Sequence, residues 1–374
     1  MDERTLLVVD RGDISTAEVR TEALGPLADG HVRLQIDRLA LTANTVTYAQ
    51  FGDMLGYWGF YPVELPWGAV PAIGWATVVA SQVPGVEVGL HVYGWWPMAT
   101  TVDIEAAPVA GGFRDVGAHR ADHAPTYRTY LSGASVGRGG GADPEAEEDA
   151  EDRHALLRGL AATGALIASY LGQPRFAGVE QVLVLSASSK TAIGYASAAR
   201  RARVEGDGPL LVGITSEANR PFVEGLGLYD EVRTYGSLAD GADAAEGVAE
   251  RPTAIVDMAG AADAIVALHA QLGDQIVHSM VVGKSHHDDP FAEVVGGPTP
   301  ELFFAPAEIE RLAAELGADR LQAELADAAA AMVEASRTWL RIEHRHGPDQ
   351  ALAAWADALA GRVPPDVGVI FALA

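Results

Sequence analysis

The sequence predicts an α/β protein that joins a β-rich part to a doubly wound parallel sheet. The first third is rich in Val, Thr and aromatic residues and is broken by Pro and Gly, which is typical of short strands and turns. From Arg153 onward, short apolar segments alternate with segments of helical periodicity. Because these apolar segments lack alternating polar residues, they indicate parallel strands that helices cover on both faces.

Four segments of the first third are predicted strands: 5–10, 31–41, 71–83 and 89–93. Residues 43–55 read as a short helix or a turn. The segment 136–148 is rich in Gly and then acidic, and Asp143-Pro144 has the residue types of an N-cap and a first helical position. We interpret this segment as a linker that enters a helix, with the acidic run as its solvated start.

The middle of the chain supplies the parallel sheet. Its predicted strands are 182–185, 210–215, 231–234, 254–257 and 276–282. Its predicted helices are 156–171, 191–204, 219–226 and 261–272, followed by one long helical stretch over 306–336. The tail reads as strand, helix and strand over 338–344, 348–359 and 367–373. In an open α/β sheet of this kind, ligands bind past the carboxyl ends of the strands.

The composition excludes several classes of function. The formal net charge of −25 over 374 residues disfavours nucleic acid and anionic membranes as partners. The absence of cysteine excludes disulfides, a thiol nucleophile and thiolate metal ligands. The first residues lack a signal-peptide pattern, and no apolar run is long enough to span a bilayer. We therefore expect a cytoplasmic protein with a small-molecule substrate, and the sequence leaves a homodimer open.

The chain has only two lysines, Lys190 and Lys284, and each follows a predicted strand. Cations at the carboxyl ends of parallel strands suit a phosphate ligand. Chance placement is the alternative. For Lys190, chance placement is a weaker interpretation than a phosphate-binding role. For Lys284, the two interpretations are equally supported.

The turn after strand 182–185 is composed of small residues and leads into a helix. Such a turn lets backbone N–H groups approach a pyrophosphate at a helix N-terminus. The predicted cofactor residues here are Ser186, Ser188, Ser189, Lys190, Thr191 and Gly194. The turn is neither a complete G-x-G-x-x-G nor a P-loop, so a purely structural turn is the alternative.

The end of the second strand predicts which cofactor this site prefers. Thr215 and Ser216 offer hydroxyl groups, and Arg220 follows closely. Arginine forms charge-assisted hydrogen bonds to phosphate, so this set suits the 2′-phosphate of NADPH. Glu217 is the residue type that NAD sites use, which keeps NAD as the alternative.

Two longer segments carry a resemblance to a known family. Residues 70–79 read Val-Pro-Ala-Ile-Gly-Trp-Ala-Thr-Val-Val, and residues 84–94 read Pro-Gly-Val-Glu-Val-Gly-Leu-His-Val-Tyr-Gly. Both are similar to a stretch of the medium-chain dehydrogenase/reductase superfamily, in its zinc-independent quinone-oxidoreductase-like branch. Within that branch the chain resembles a family known mainly as a domain of unknown function. Further matches lie before these segments at 44–52 and after them at 254–260 and 303–306.

The resemblance implies a GroES-like β domain at 1–150 and 335–374 and a Rossmann domain at 151–334. It also implies an active site between the two domains and NADPH-dependent reduction of activated alkenes or quinones. The zinc-dependent members carry Cys and His ligands, including a Gly-His-Glu motif. This chain has Gly74-Trp75-Ala76 there and no cysteine, so no bound metal is expected.

The candidate catalytic residues are Asn44, Tyr48 and Tyr57. Asn44 and Tyr48 fall where the resembled reductases have active-site residues, and Tyr57 lies in the following loop, where related enoyl reductases have a catalytic tyrosine. Other aromatic residues lie close to them in sequence or follow later: Trp58, Tyr61, Trp67, Trp95 and Trp96. The group is either a substrate pocket with a phenolic proton donor or a packed hydrophobic patch.

Our preferred hypothesis is an NADPH-dependent, zinc-independent oxidoreductase. It would reduce an activated C=C bond (enone, quinone or enoyl) or a C=O bond by hydride transfer, with Tyr57 or Tyr48 as proton donor and Asn44 orienting. The first alternative is a catalytically silent NADPH-binding or regulatory protein of the same fold. The second is an alcohol dehydrogenase that works in the oxidative direction.

Overall fold

The chain divides into two compact units in a computed structural model that describes residues 3–133, 143–203, 208–239, 251–258, 260–282 and 293–374. The first unit comprises Met1–Leu156 and Leu340–Ala374, and the second unit comprises Leu157–Trp339. Domain boundaries near 150 and 335 stay a prediction. Lys284, one of the predicted cofactor residues, lies outside the described residues.

The strands are β1 Glu3–Asp10, β2 Ala17–Ala23, β3 His31–Leu41, β4 Trp67–Gly68, β5 Pro71–Ser81, β6 His91–Pro97, β7 Thr101–Val109, β8 Gly112–Asp115, β9 Thr129–Ser132, β10 Gln181–Leu185, β11 Leu210–Thr215, β12 Glu231–Thr234, β13 Thr253–Asp257, β14 Ile276–Val281, β15 Glu301–Leu302, β16 Arg341–His346 and β17 Val367–Ala372. The helices are α1 Ala43–Gln50, α2 Pro125–Arg128, α3 Pro144–Leu171, α4 Lys190–Ala202, α5 Arg220–Gly225, α6 Tyr235–Ala239, α7 Ala262–Leu272, α8 Ala305–Leu316, α9 Ala318–Ser336 and α10 Gly347–Leu359.

The first unit is a β structure. One sheet of eight strands has the order β16-β17-β3-β5-β6-β9-β8-β7, and β3 also pairs with β7, which closes six of the strands on themselves. A second sheet has the order β2-β1-β4. The tail is part of this unit, because β17 pairs antiparallel with β3 and parallel with β16. Helix α10 is anchored by Trp355, whose Nε1 donates to the carbonyl of Ile14 at 2.9 Å.

Gly74 shows how closely the strands of this barrel approach one another. The register between β3 and β5 shifts between Ile36 and Arg38, and Gly74 pairs with Leu39 just beyond the irregularity. A Cβ atom at Gly74 would lie 2.0 Å from the carbonyl oxygen of Arg38. Only glycine fits this position without displacement of the backbone.

The second unit contains the predicted parallel sheet, with the strand order β12-β11-β10-β13-β14-β15. Its pairings are all parallel. The chain moves outward from β10 to β12 and then returns to the other side of β10 at β13, so the strand order reverses at β10. The carboxyl end of β10 is therefore the position at which an open α/β sheet binds ligands.

One helix start agrees with the prediction and one helix needs correction. Helix α3 begins at Pro144, the predicted first helical position, and continues without a break through the predicted helix 156–171; Glu145 N–H donates to Asp143 Oδ1 at 3.1 Å. The long stretch 306–336 is two helices, α8 and α9, separated by Gly317 at φ +86°. Glycine adopts this left-handed φ without steric cost, which allows the break. Among the described residues, no helix is both long and apolar enough to cross a membrane.

Candidate cofactor and catalytic sites

The turn that follows β10 begins with a residue in an unusual conformation. Ser186 has φ +56°, in the left-handed region where glycine is the ordinary residue. Its N–H donates to the hydroxyl of Tyr235 at 2.8 Å, and its Oγ lies 3.2 Å from the same oxygen. The Tyr235 hydroxyl therefore holds Ser186 in a backbone conformation that glycine usually adopts.

Helix α4 starts immediately after this turn. Ser189 is its N-cap and accepts a hydrogen bond from Ala192 N–H at 3.2 Å, and Lys190 is the first helical residue. Ser188, Ser189, Lys190 and Thr191 are each partly exposed. The predicted residues thus lie around the N-terminus of a 13-residue helix, where the backbone N–H groups and the helix dipole favour a phosphate.

Gly194 has a packing role. It is buried in α4, and a Cβ atom there would lie 3.0 Å from the carbonyl oxygen of Leu160 in α3. Gly164 makes the reciprocal approach, since a Cβ atom there would lie 2.3 Å from the N atom of Tyr195. Gly194 lets α4 lie close to α3, which fixes the direction of the helix that follows the turn.

The loop after β11 contacts the turn after β10. Thr215 is buried at the end of β11, and Ser216 Oγ accepts from Asn219 N–H at 3.3 Å. Asn219 Nδ2 then donates to Ser188 Oγ at 3.1 Å. The structure therefore brings together the two predicted parts of the cofactor site, and Asn219 is the residue that joins them.

Arg220 lies at the start of α5 and is half exposed. Its Nε donates to Glu224 Oε1 at 2.8 Å, which raises the pKa of the guanidinium. An exposed pair of this spacing on a helix contributes little to stability, because solvent screens it. A phosphate could therefore replace Glu224 as the partner of Arg220 at small cost.

The candidate catalytic tyrosines lie in the first unit and contact each other. The rings of Tyr48 and Tyr57 are 4.7 Å apart between centroids. A third tyrosine, Tyr127 of α2, joins them: its ring lies 6.0 Å from that of Tyr57, and the two hydroxyl oxygens are 3.5 Å apart. We call Tyr48, Tyr57 and Tyr127 the phenol cluster.

The members of the phenol cluster differ in their surroundings. Burial raises the pKa of both Tyr48 and Tyr57, and the neighbouring phenol of Tyr127 raises both further. At Tyr48, hydrogen bonding from the Trp95 indole and the Asn44 amide lowers the pKa and so opposes part of the rise caused by burial. Tyr57 is buried, and its hydrogen bond to Tyr127 raises its pKa. Tyr48 therefore keeps a raised pKa, but it is the phenol of the two whose ionised form would receive hydrogen bonds from N–H donors.

Much of the remaining aromatic cluster is packing. Trp58 fills the space beside two glycines: a Cβ atom would lie 2.2 Å from its ring at Gly52 and 2.5 Å at Gly68. Trp96 is fully buried, with its ring centroid 4.5 Å from that of Tyr130. The packing interpretation therefore holds for Trp58 and Trp96, while Tyr48 and Tyr57 belong to the phenol cluster.

One group of the described residues has the donors of a metal site. One ligand atom each from Glu148, Asp152 and His344 lies within 4.8 Å of the others. Arg38 already occupies this position, with Nη1 3.2 Å from Glu148 Oε1 and Nε 3.0 Å from Asp152 Oδ1. A fixed guanidinium repels a cation, so an ion-pair network is the better interpretation. Trp75 has no metal-binding atom and instead donates from Nε1 to the Glu151 carbonyl at 3.0 Å.

Four residues of these sites escaped the sequence analysis: Asn219, Tyr127, Tyr235 and Trp95 as a hydrogen-bond donor. Asn219 and Tyr235 follow β11 and β12, so the rule that ligands lie at the carboxyl ends of parallel strands could have found them. Tyr127 lies far from Tyr57 in sequence and is brought near by the fold, for which the sequence carries no local signal.

Solved structures of low sequence identity share this fold. CurA from Vibrio vulnificus, solved in complex with NADPH, is 14% identical with a TM-score of 0.62, and the match covers 98% of each chain. A mutant form of enoyl thioester reductase from Candida tropicalis is 11% identical with a TM-score of 0.56, over 99% of this chain and 100% of the other. These similarities confirm the fold, a GroES-like β domain with a Rossmann domain.

Sequence comparison is more specific about the family. No curated protein sequence matches the chain significantly. A family model does match, over residues 39–364, and its description is "Protein of unknown function (DUF2855)". Because this match spans most of the chain, the protein belongs to the DUF2855 family, as the resemblance to a family of unknown function predicted.

Proposed function

We propose that the protein is an NADPH-dependent oxidoreductase that reduces an activated C=C bond (enone, quinone or enoyl) or a C=O bond. The single observation that carries the proposal is the phenol cluster, in which Asn44 and Trp95 donate toward the Tyr48 oxygen. The NADPH complex of CurA and the enoyl thioester reductase, both of the same fold, support it. The first unit acts as the catalytic domain and the second as the dinucleotide-binding domain.

The second unit has residues that fit NADPH. The N-terminus of α4, with Ser188, Ser189 and Thr191 around it, receives the pyrophosphate, and Lys190 adds a positive charge. Arg220 exchanges Glu224 for the 2′-phosphate, a charge-assisted contact that NADH lacks. Bound NADPH supplies a hydride to the electrophilic carbon of the substrate.

Tyr48 supplies the proton in this proposal. As the hydride reaches the substrate, negative charge develops on its enolate or alkoxide oxygen, and the Tyr48 O–H donates toward this charge. Asn44 and Trp95 then stabilise the phenolate that results. Tyr57 and Tyr127 exclude water and keep the Tyr48 ring in place. No step in this sequence uses a metal ion.

The test follows NADPH absorbance with a panel of enones, quinones, enoyl thioesters and aldehydes. With the best substrate, Tyr48→Phe should reduce kcat by about 10²–10⁴-fold, the usual contribution of general acid catalysis. Tyr57→Phe is the matched control, since it removes a phenol 4.7 Å away, and it should cost less than about tenfold. Equal losses, or none in Tyr48→Phe, would reject Tyr48 as the donor.

One observation favours a second candidate function, a silent NADPH-binding protein. Burial raises the pKa of both Tyr48 and Tyr57, and a phenol of raised pKa is a weaker acid near neutral pH. This candidate predicts that NADPH binds tightly while no member of the panel is reduced. The proposed reductase predicts both binding and turnover, so the same assay separates the two.

A further inference from the structure

Trp95 of β6 has a buried indole N–H that makes no complete hydrogen bond to any described residue. Buried donors without an acceptor are rare in folded proteins because they lose their hydration without compensation. Two neighbouring tryptophans show the ordinary arrangement. Trp96 Nε1 donates to the Gly74 carbonyl at 2.9 Å, and Trp75 Nε1 donates to that of Glu151 at 3.0 Å. The state of Trp95 therefore needs a specific explanation.

The ring of Trp95 is held in place from more than one side. On β6 the residue pairs with Ile73 of β5, and its carbonyl oxygen accepts a hydrogen bond from the Tyr61 hydroxyl. The Tyr127 ring packs against it edge-on, at 5.2 Å between centroids and an interplanar angle of 88°. These contacts set the direction of the indole N–H before any ligand binds.

The Tyr127 ring that packs on Trp95 also contacts Tyr57, which packs on Tyr48, and the Tyr48 oxygen is the acceptor within reach of the indole N–H. Burial and the phenols of Tyr127 and Tyr93 raise the pKa of Tyr48, while donation from Trp95 and Asn44 lowers it. The titratable groups that face Tyr48 include Tyr127 from α2, Tyr93 from β6 and Tyr57 from the loop after α1. None of these three phenols favours an ionised Tyr48, whereas the N–H donors of Trp95 and Asn44 do.

We propose that Trp95 is a positioning residue whose indole N–H completes a hydrogen bond to the Tyr48 oxygen when that oxygen has lost its proton. The inference rests on the proposed function. In the proposed reaction, the Tyr48 O–H bond would break as a C–H or O–H bond of the product forms. NADPH would supply the hydride, and water would later return a proton to Tyr48. A fixed donor aimed at a developing negative charge stabilises the transition state more than the ground state.

The first test requires no substrate. A difluorinated tyrosine, which is more acidic than tyrosine, is incorporated at position 48 in the full chain, and its ionisation is followed by fluorine NMR against pH. Trp95→Phe should raise its pKa by about 1, a tenfold change in the ionisation constant. Replacement of Trp95 by benzothienylalanine, which keeps the ring shape but has no N–H, should give the same rise without a packing defect.

Trp96→Phe is the matched control, since its N–H is bonded to the Gly74 carbonyl, and it should leave this titration unchanged. An unchanged pKa in the benzothienylalanine protein would overturn the proposal. With an identified substrate, that protein should also lose about tenfold in kcat with little change in KM. If no substrate turns over, the proposed function fails, but the titration still decides the role of Trp95.

Discussion

His91 should give the first unit a measurable pH dependence of stability. Its Nδ1 lies 3.3 Å from Asp37 Oδ2 and its Nε2 lies 3.3 Å from Glu151 Oε1, and its ring stacks on Trp75 at 5.0 Å. Burial opposes the charged imidazolium, but the hydrogen bonds to Asp37 and Glu151 outweigh it and raise the pKa of His91 to about 9. Folding therefore favours the protonated ring.

The direction of the pH dependence follows from this rise. In the unfolded chain His91 titrates near its ordinary value of about 6.5, so its contribution is complete below that pH. The contribution is lost as the pH rises toward 9, where the folded state also releases the proton. The full difference in pKa corresponds to about 3 kcal/mol. Because 33% of the side chain is exposed, solvent screening reduces this to about 1–2 kcal/mol.

The assay compares wild type with His91→Gln by urea unfolding at several pH values. Tryptophan fluorescence is a suitable signal, because every tryptophan except Trp339 lies in the first unit. The variant should be about 1–2 kcal/mol less stable at acidic pH near 6, and the difference should shrink between about pH 6.5 and pH 9 and be nearly absent above pH 9. His119→Gln, at an exposed histidine, is the control and should show no such trend. A deficit that stays constant or grows with pH would refute the reasoning.

Three further predictions concern the cofactor and metals. Arg220→Ala should weaken NADPH binding by about 10–100-fold in a fluorescence titration and leave NADH unchanged, whereas Glu224→Ala should strengthen NADPH by about twofold; an NADPH preference that survives in Arg220→Ala would disprove the assignment. Tyr235→Phe should weaken NADPH and NADH equally, by about fivefold, because it loosens Ser186 in the turn that serves both; a loss confined to NADPH would place Tyr235 at the 2′-phosphate instead. Elemental analysis should find no stoichiometric zinc, and activity lost to a chelator would contradict a metal-independent reaction.

The parallel sheet was predictable because its signal is local. Buried strands such as β10 and β13 are continuous apolar runs, and each precedes a helical period. The first unit was harder to predict. Strands β2, β4, β7, β8 and β9 were missed, since partly exposed strands such as β2 lack a clear alternation and depend on pairing with distant segments.

The sites divide in the same way. The serine turn and its helix follow from a strand, a turn and a capping residue that are adjacent in sequence. The left-handed Ser186 could not be foreseen, because its support comes from Tyr235, 49 residues away. Tyr127 likewise lies 70 residues from Tyr57. Sequence patterns thus located the elements of each site, while tertiary contacts determined which side chains complete it.

The central claim is that the protein transfers a hydride from NADPH to a carbon of its substrate. The most direct measurement uses NADPH that carries deuterium at the transferable position of the nicotinamide, with the enone, quinone, enoyl thioester and aldehyde panel and mass analysis of the products. We predict one NADPH consumed for each product formed and one deuterium atom on carbon in a reduced enone, enoyl thioester or aldehyde. Reduction of a quinone gives a hydroquinone that keeps no such deuterium, so a quinone is scored by NADPH consumption and hydroquinone formed. Tight binding of NADPH without a deuterated product or a hydroquinone from any member of the panel would contradict the claim.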